Sequence, residues 1–150
     1  MRLYEYILSK PKEKILNIKL VVLIVSPPGD LQIGLQALLS THLDVDVLAV
    51  GEGSSALKVI NHQNPAVVIL DHNLPGNTAP KIVHDIKSNW PEIICIVLVN
   101  DERGKLIFEG AGADLIIIKG LPGSRLIAAI KRLLDLNGFG RPLSNIPDNT

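Results

Sequence analysis

The sequence predicts an α/β fold in which five short parallel strands form an open sheet covered by helices on both faces. Three observations predict it. Hydrophobic residues make up 47% of the chain while Phe, Trp and Tyr together supply 3%, so the core must be aliphatic. Short continuous apolar runs alternate with longer stretches of helical period, the pattern of a parallel sheet buried on both faces. Five strand and helix units fit within roughly 120 residues, and short, right-handed crossovers leave an open doubly wound sheet as the natural topology. A domain of 150 residues needs no staples, since it buries roughly two thirds of the surface of its unfolded chain.

Taken in order, residues 1–18 carry mixed charge and weak periodicity and read as an N-terminal extension with room for one short helix. The first strand is Leu20 to Val25, ended by Pro27-Pro28-Gly29-Asp30, and a helix with the stripe Leu31, Leu35, Leu38 and Leu39 follows. Val45 to Val50 is the second strand. Gly51-Glu52-Gly53 reads as a turn rather than a phosphate cradle, and Ala56, Leu57 and Ile60 face inward from the next helix. Ala66 to Leu70 forms the third strand, with Ile82, Val83 and Ile86 striping the helix after it. The fourth strand is Ile93 to Val99. The helix between Val99 and Gly112 should be short and weak, because it holds Gly104 in little space. Asp114 to Ile118 is the fifth strand. The last helix shows Leu126, Ile127, Ile130, Leu133 and Leu134 on one face and is stopped by Asn137-Gly138. The domain should thus span 19–137, with 138–150 as a flexible tail.

Composition narrows the function. Lys plus Arg and Asp plus Glu are balanced at 15 each, which gives no global pull toward nucleic acid or an anionic membrane. The lone Cys95 lies in an apolar run, so it reads as a small core residue in a reducing compartment. Lys10, Lys12, Lys14 and Lys19 precede an apolar stretch that is too short for a signal peptide and has no cleavage site. A soluble, cytoplasmic protein is expected.

In open α/β sheets chemistry sits beyond the carboxyl ends of the strands, just after Val25, Leu70, Val99 and Ile118 here. Two charges stand there: Asp71, in Val67-Val68-Ile69-Leu70-Asp71-His72-Asn73-Leu74-Pro75-Gly76, and Lys119, after Gly112-Ala113-Asp114-Leu115-Ile116-Ile117-Ile118. Opposite charges at the ends of apolar strands are costly unless paired or solvated.

From about Leu20 to Leu136 these strings, together with Gly34-Leu35-Gln36-Ala37-Leu38-Leu39, resemble the receiver domains of response regulators in two-component phosphorelay signalling. The resemblance implies a flavodoxin-like (βα)5 sheet of strand order 2-1-3-4-5. It implies Asp71 as phospho-acceptor, Lys119 as the cation that contacts the phosphoryl group, and Mg²⁺ held by Asp71 and the main-chain carbonyl of Asn73. Phosphoryl transfer of this kind depends on positioning and cations more than on covalent chemistry.

Several positions depart from that pattern. The acidic pair after the first strand is replaced by Ser26 and Pro27, so a hard cation loses its charged oxygen ligands. Asp30 is the only acid nearby and stands where it would cap the first helix. The family's Ser or Thr at the end of the fourth strand is Val99, or Asn100 if the register slips by one residue, and its switching aromatic is Ile116. One carboxylate then faces one lysine, a pair that can satisfy itself without metal.

Other residues carry less. His72 lacks the spacing of a cobalamin-type motif and reads as a loop histidine, while His42, His62 and His84 have no Cys or Glu at ligand spacing. Ser26, Ser54 and Ser55 have no nucleophile elbow, and no dinucleotide or P-loop motif occurs. The residues by themselves imply no cofactor. The resulting expectation is a pseudo-receiver rather than an enzyme, standing alone without an output domain, weakly phosphorylated or independent of phosphorylation. It would act on a sensor histidine kinase or another signalling protein, or through a homodimer, without nucleic acid or membrane. The alternative is a flavodoxin-like domain that binds a small ligand or cofactor.

Overall fold

The computed structural model describes residues 19–138, so the expected extension and nearly all of the expected tail lie outside the described residues. The elements are β1 (Leu20–Val25), α1 (Asp30–His42), β2 (Val45–Val50), α2 (Gly53–Gln63) and β3 (Val67–Asp71). They continue through a 3-10 turn (Pro75–Asn77) to α3 (Ala79–Asn89), β4 (Ile94–Val99), α4 (Glu102–Ala111), β5 (Leu115–Ile118) and α5 (Gly123–Leu136). All strand pairings are parallel and the sheet order is β2-β1-β3-β4-β5.

Strand periodicity divides the core in two. Leu23, Val25, Val68, Leu70, Cys95, Val97 and Val99 face α2, α3 and α4, where Ala56, Ile60, Ile82, Val83, Ile86 and Phe108 meet them. Val22, Ile24, Val67, Ile69, Ile94, Ile96 and Leu98 face Leu35 and Leu39 of α1 and Leu126, Ile127, Ile130 and Leu134 of α5. Both residue parities are therefore apolar in the three central strands, and β3 is buried along its whole length. The edge strands β2 and β5 are only partly covered.

Three expectations are corrected. The third strand runs one residue further than read, because Asp71 pairs with Leu98 of β4, while Ala66, Ile93 and Asp114 fall just outside their strands. Asp30 does not cap α1: Gly29 is the N-cap, and Asp30 opens the helix without a side-chain capping bond. The fourth helix is not short either, since α4 has 10 residues against 11 in α2 and α3. Asp101 accounts for it, its Oδ1 accepting the main-chain N–H groups of Arg103 at 3.0 Å and Gly104 at 3.2 Å. Gly104 costs less than expected because it lets the helix approach β4, where a Cβ would lie 2.8 Å from the Cβ of Val99. The anchoring is nonetheless sparse: Phe108 is the helix's one buried residue.

Candidate functional site

The sheet order reverses between β1 and β3, and Ser26, just after β1, meets Asp71, the last residue of β3, there. Asp71 is a carboxylate at 6% exposure, so each of its oxygens needs a partner. Oδ1 lies 2.7 Å from the Nζ of Lys119 and accepts the main-chain N–H of Asn73 at 3.0 Å. Oδ2 faces the hydroxyl of Ser26 at 3.5 Å. Lys119 begins two strands away and reaches across the end of β4, its main-chain N–H donating to the carbonyl of Val99 at 2.8 Å. That span, roughly 10 Å, suits a lysine side chain.

Ser26 is itself 1% exposed and firmly placed. Its N–H donates to Val50 at 3.0 Å and its carbonyl accepts the Gln32 side-chain amide at 2.8 Å. Gln32 is a support that no sequence motif singles out. Pro27 follows, partly exposed and without a polar side chain to offer.

Of the other expected positions, Val99 is fully buried in the core and pairs with Ile118, while Asn100 is exposed beyond the strand end. Ile116 pairs with Val97 and packs on the α2, α3 and α4 side of the sheet. Neither brings a hydroxyl or an aromatic ring toward Asp71. His42, His62 and His84 are exposed.

His72 is more than a loop residue. Its main-chain N–H donates to Leu98 at 3.0 Å, extending the β3 and β4 ladder by one rung. Its ring folds back so that Nδ1 is 3.3 Å from the same carbonyl and 3.8 Å from Asp71 Oδ1. The ring meets Phe108 of α4 at a centroid distance of 6.5 Å and 79° between planes. Nothing in the sequence pattern distinguished this from a solvated histidine, since the contact joins residues 36 positions apart.

The donors present do not suit Mg²⁺. Such an ion wants oxygen ligands with negative charge, and here a hydroxyl and a main-chain carbonyl accompany one carboxylate already bonded to an ammonium group. Among the described residues, no three His, Cys, Asp or Glu side chains converge as a metal site requires. A cavity of about 230 Å³ lies beside the site, between α1, α5 and the end of β5, and Leu35, Leu98, Ile117 and Leu126 line it with Lys119 at its edge. Small-molecule sites usually enclose roughly 300 to 1,000 Å³, so this space is small for one. No described helix is long and apolar enough to cross a membrane.

The model of the response regulator receiver domain family matches residues 22–131. Among curated proteins, the transcriptional regulatory protein RstA of Escherichia coli is 30% identical over 118 residues, covering 76% of this chain and 48% of that protein. The DNA-binding transcriptional activator DevR/DosR of Mycobacterium tuberculosis is 27% identical over 113 residues, covering 73% of this chain and 50% of its own length. The chain thus spans about half the length of these relatives or less. Among solved structures, a CheY-like response regulator receiver domain protein from Methanospirillum hungatei superposes with a TM-score of 0.74 at 19% identity, covering 81% of this chain and 98% of that one.

Proposed function

The chain belongs to the response regulator receiver domain family of two-component signalling, and on that premise we propose that it signals by protein contact, with phosphorylation at Asp71 weak or absent. One observation supports this reading above others: Asp71 Oδ1 is closed by Lys119 at 2.7 Å, while Ser26 and Pro27 stand where acidic ligands would be needed. A phosphoryl donor carries several negative charges, and attack by a carboxylate needs cations to neutralise them. Among the described residues, the lysine cation of this site is already bonded to the nucleophile. Val99 and Ile116 further remove the hydroxyl and the aromatic ring through which a phosphoryl group would be read. The domain is then a pseudo-receiver of the cytoplasm, not an enzyme, whose partner is a sensor histidine kinase or another signalling protein rather than nucleic acid.

The test is intact-mass measurement after incubation with acetyl phosphate and Mg²⁺, with Asp71→Asn as control. The expected result is little or no adduct, and no change in thermal stability on adding Mg²⁺. Phosphorylation of most of the protein that disappears in Asp71→Asn would overturn the reading.

A further inference from the structure

We propose that His72 couples the state of Asp71 to α4 by a direct mechanical route, through Phe108, in place of a route through positions 99 and 116. The geometry of the ring carries the proposal. Nδ1 faces two acceptors, the Leu98 carbonyl at 3.3 Å and Asp71 Oδ1 at 3.8 Å. A lone pair there would be repelled by both, so this nitrogen holds the hydrogen, donates it to the Leu98 carbonyl and is drawn electrostatically toward the carboxylate, which lies beyond hydrogen-bond distance. The plane of the ring is thereby set from one side by the carboxylate. The ring also meets Phe108 nearly at a right angle, an arrangement aromatic pairs favour.

Phe108 is no ordinary neighbour. It is 2% exposed and is the one buried residue of α4, which also meets β4 through Gly104 against Val99 and packs against α3 and β5, with Ala111 partly buried on the same core. A helix with so few buried contacts takes its position from them, and local opening is expected where buried contacts are few. Any event that removes the carboxylate charge or draws Asp71 away leaves His72 held by Leu98 alone. The ring then relaxes against Phe108 and loosens the seat of α4. Val99 and Ile116, both apolar and packed in the core, offer Asp71 no polar contact by which to do the same.

The route holds whether or not Asp71 is ever phosphorylated, so its test uses no phosphoryl donor and no metal. Amide hydrogen exchange is measured across α4 in the full chain for Asp71→Asn, alone and combined with His72→Leu. His72→Leu keeps apolar contact with Phe108 but has no ring N–H to donate. Asp71→Asn alone is expected to speed exchange around Phe108 by about threefold or more, the size expected of side chains coupled through a shared contact. In the His72→Leu background the same substitution should leave α4 unchanged. Should His72→Leu fail to fold, the ring resonances of Phe108 and His72 in Asp71→Asn give the second reading, and both are expected to move. The proposal is overturned if Asp71→Asn leaves α4 exchange and these ring resonances unaltered, or if it speeds α4 equally without His72.

Discussion

The ammonium group of Lys119 lies 2.7 Å from Oδ1 of Asp71, an ion pair that joins the end of β5 to the end of β3 across β4. Its partners are unequally buried, with side-chain exposures of 23% and 7%. Removing the lysine strands the more buried charge. Lys119→Met should therefore destabilise the domain by about 2 kcal/mol in urea unfolding, less than for a fully buried pair because Lys119 is partly solvated. Asp71→Asn should cost less, since the amide oxygen still accepts from Asn73. Combining the two should restore part of the loss caused by Lys119→Met, and a neutral Lys119→Met would show that the pair contributes nothing.

Gly104 and Val99 make a second relationship that can be tested. Alanine in a helix interior is ordinarily better than glycine by about 1 kcal/mol. Here the added Cβ would lie 2.8 Å from the Cβ of Val99, an atom that no rotamer change can move away. Gly104→Ala should thus destabilise by about 1 to 2 kcal/mol despite its better propensity. In a Val99→Gly background, which removes that Cβ, the penalty should shrink. A stabilising Gly104→Ala in the unaltered chain would refute the close approach of α4.

At the opposite end of the sheet, Asp114 Oδ2 accepts from the Lys87 ammonium at 2.8 Å and from the Cys95 main-chain N–H at 2.7 Å. Lys87 also donates to the carbonyls of Pro91 at 3.0 Å and Ile93 at 2.8 Å. One lysine and one aspartate thus tie the end of α3 to the starts of β4 and β5. Asp114→Ala orphans the Cys95 N–H and should cost about 1 to 3 kcal/mol. Asp114→Asn keeps an acceptor and should cost less, so equal losses in thermal melts of the two variants would show that the acceptor is immaterial.

The thiol of Cys95 is pushed up to about 12 from its ordinary 9.0, chiefly by burial and further by the Asp114 carboxylate, with Lys87 acting in the opposite sense. Between these values the unfolded chain releases a proton that the folded chain retains. Stability from this group is accordingly intact below pH 9 and falls as pH rises toward 12, by at most about 1.4 kcal/mol per pH unit. Cys95→Ala should flatten the decline of folding stability above pH 9 relative to the unaltered chain. Parallel pH profiles would contradict this. The same burial should keep the thiol silent toward iodoacetamide at pH 8 until the protein unfolds.

Much of this was legible in advance because parallel sheets leave a strong local trace. A strand buried on both faces must be aliphatic at every position, so Leu20 to Val25 stands out with the bounds the structure gives it, and the partly covered edge strand Val45 to Val50 does so despite the exposed Asp46. The charges Asp71 and Lys119 were visible for the same reason, as the first polar residues after such runs. The fourth helix was misjudged because Gly104 was weighed by propensity alone. Its value lies in a contact with Val99, and its helix is secured by an Asp101 cap that the count of residues did not reveal. His72 was passed over because its role depends on Leu98 and Phe108, which only folding places beside it.

By itself the sequence determined the five-stranded α/β architecture, the receiver likeness, and the absence of a carboxylate side chain at Ser26 and Pro27, all properties of residue type and order along the chain. The tertiary structure alone decided that Asp71 closes on Lys119 rather than facing solvent, that Asp30 opens α1 without capping it, and that His72 bridges to α4. These depend on distances between side chains from different strands and helices. Periodicity determines which face a residue takes, but only the packed fold determines which partner it meets there.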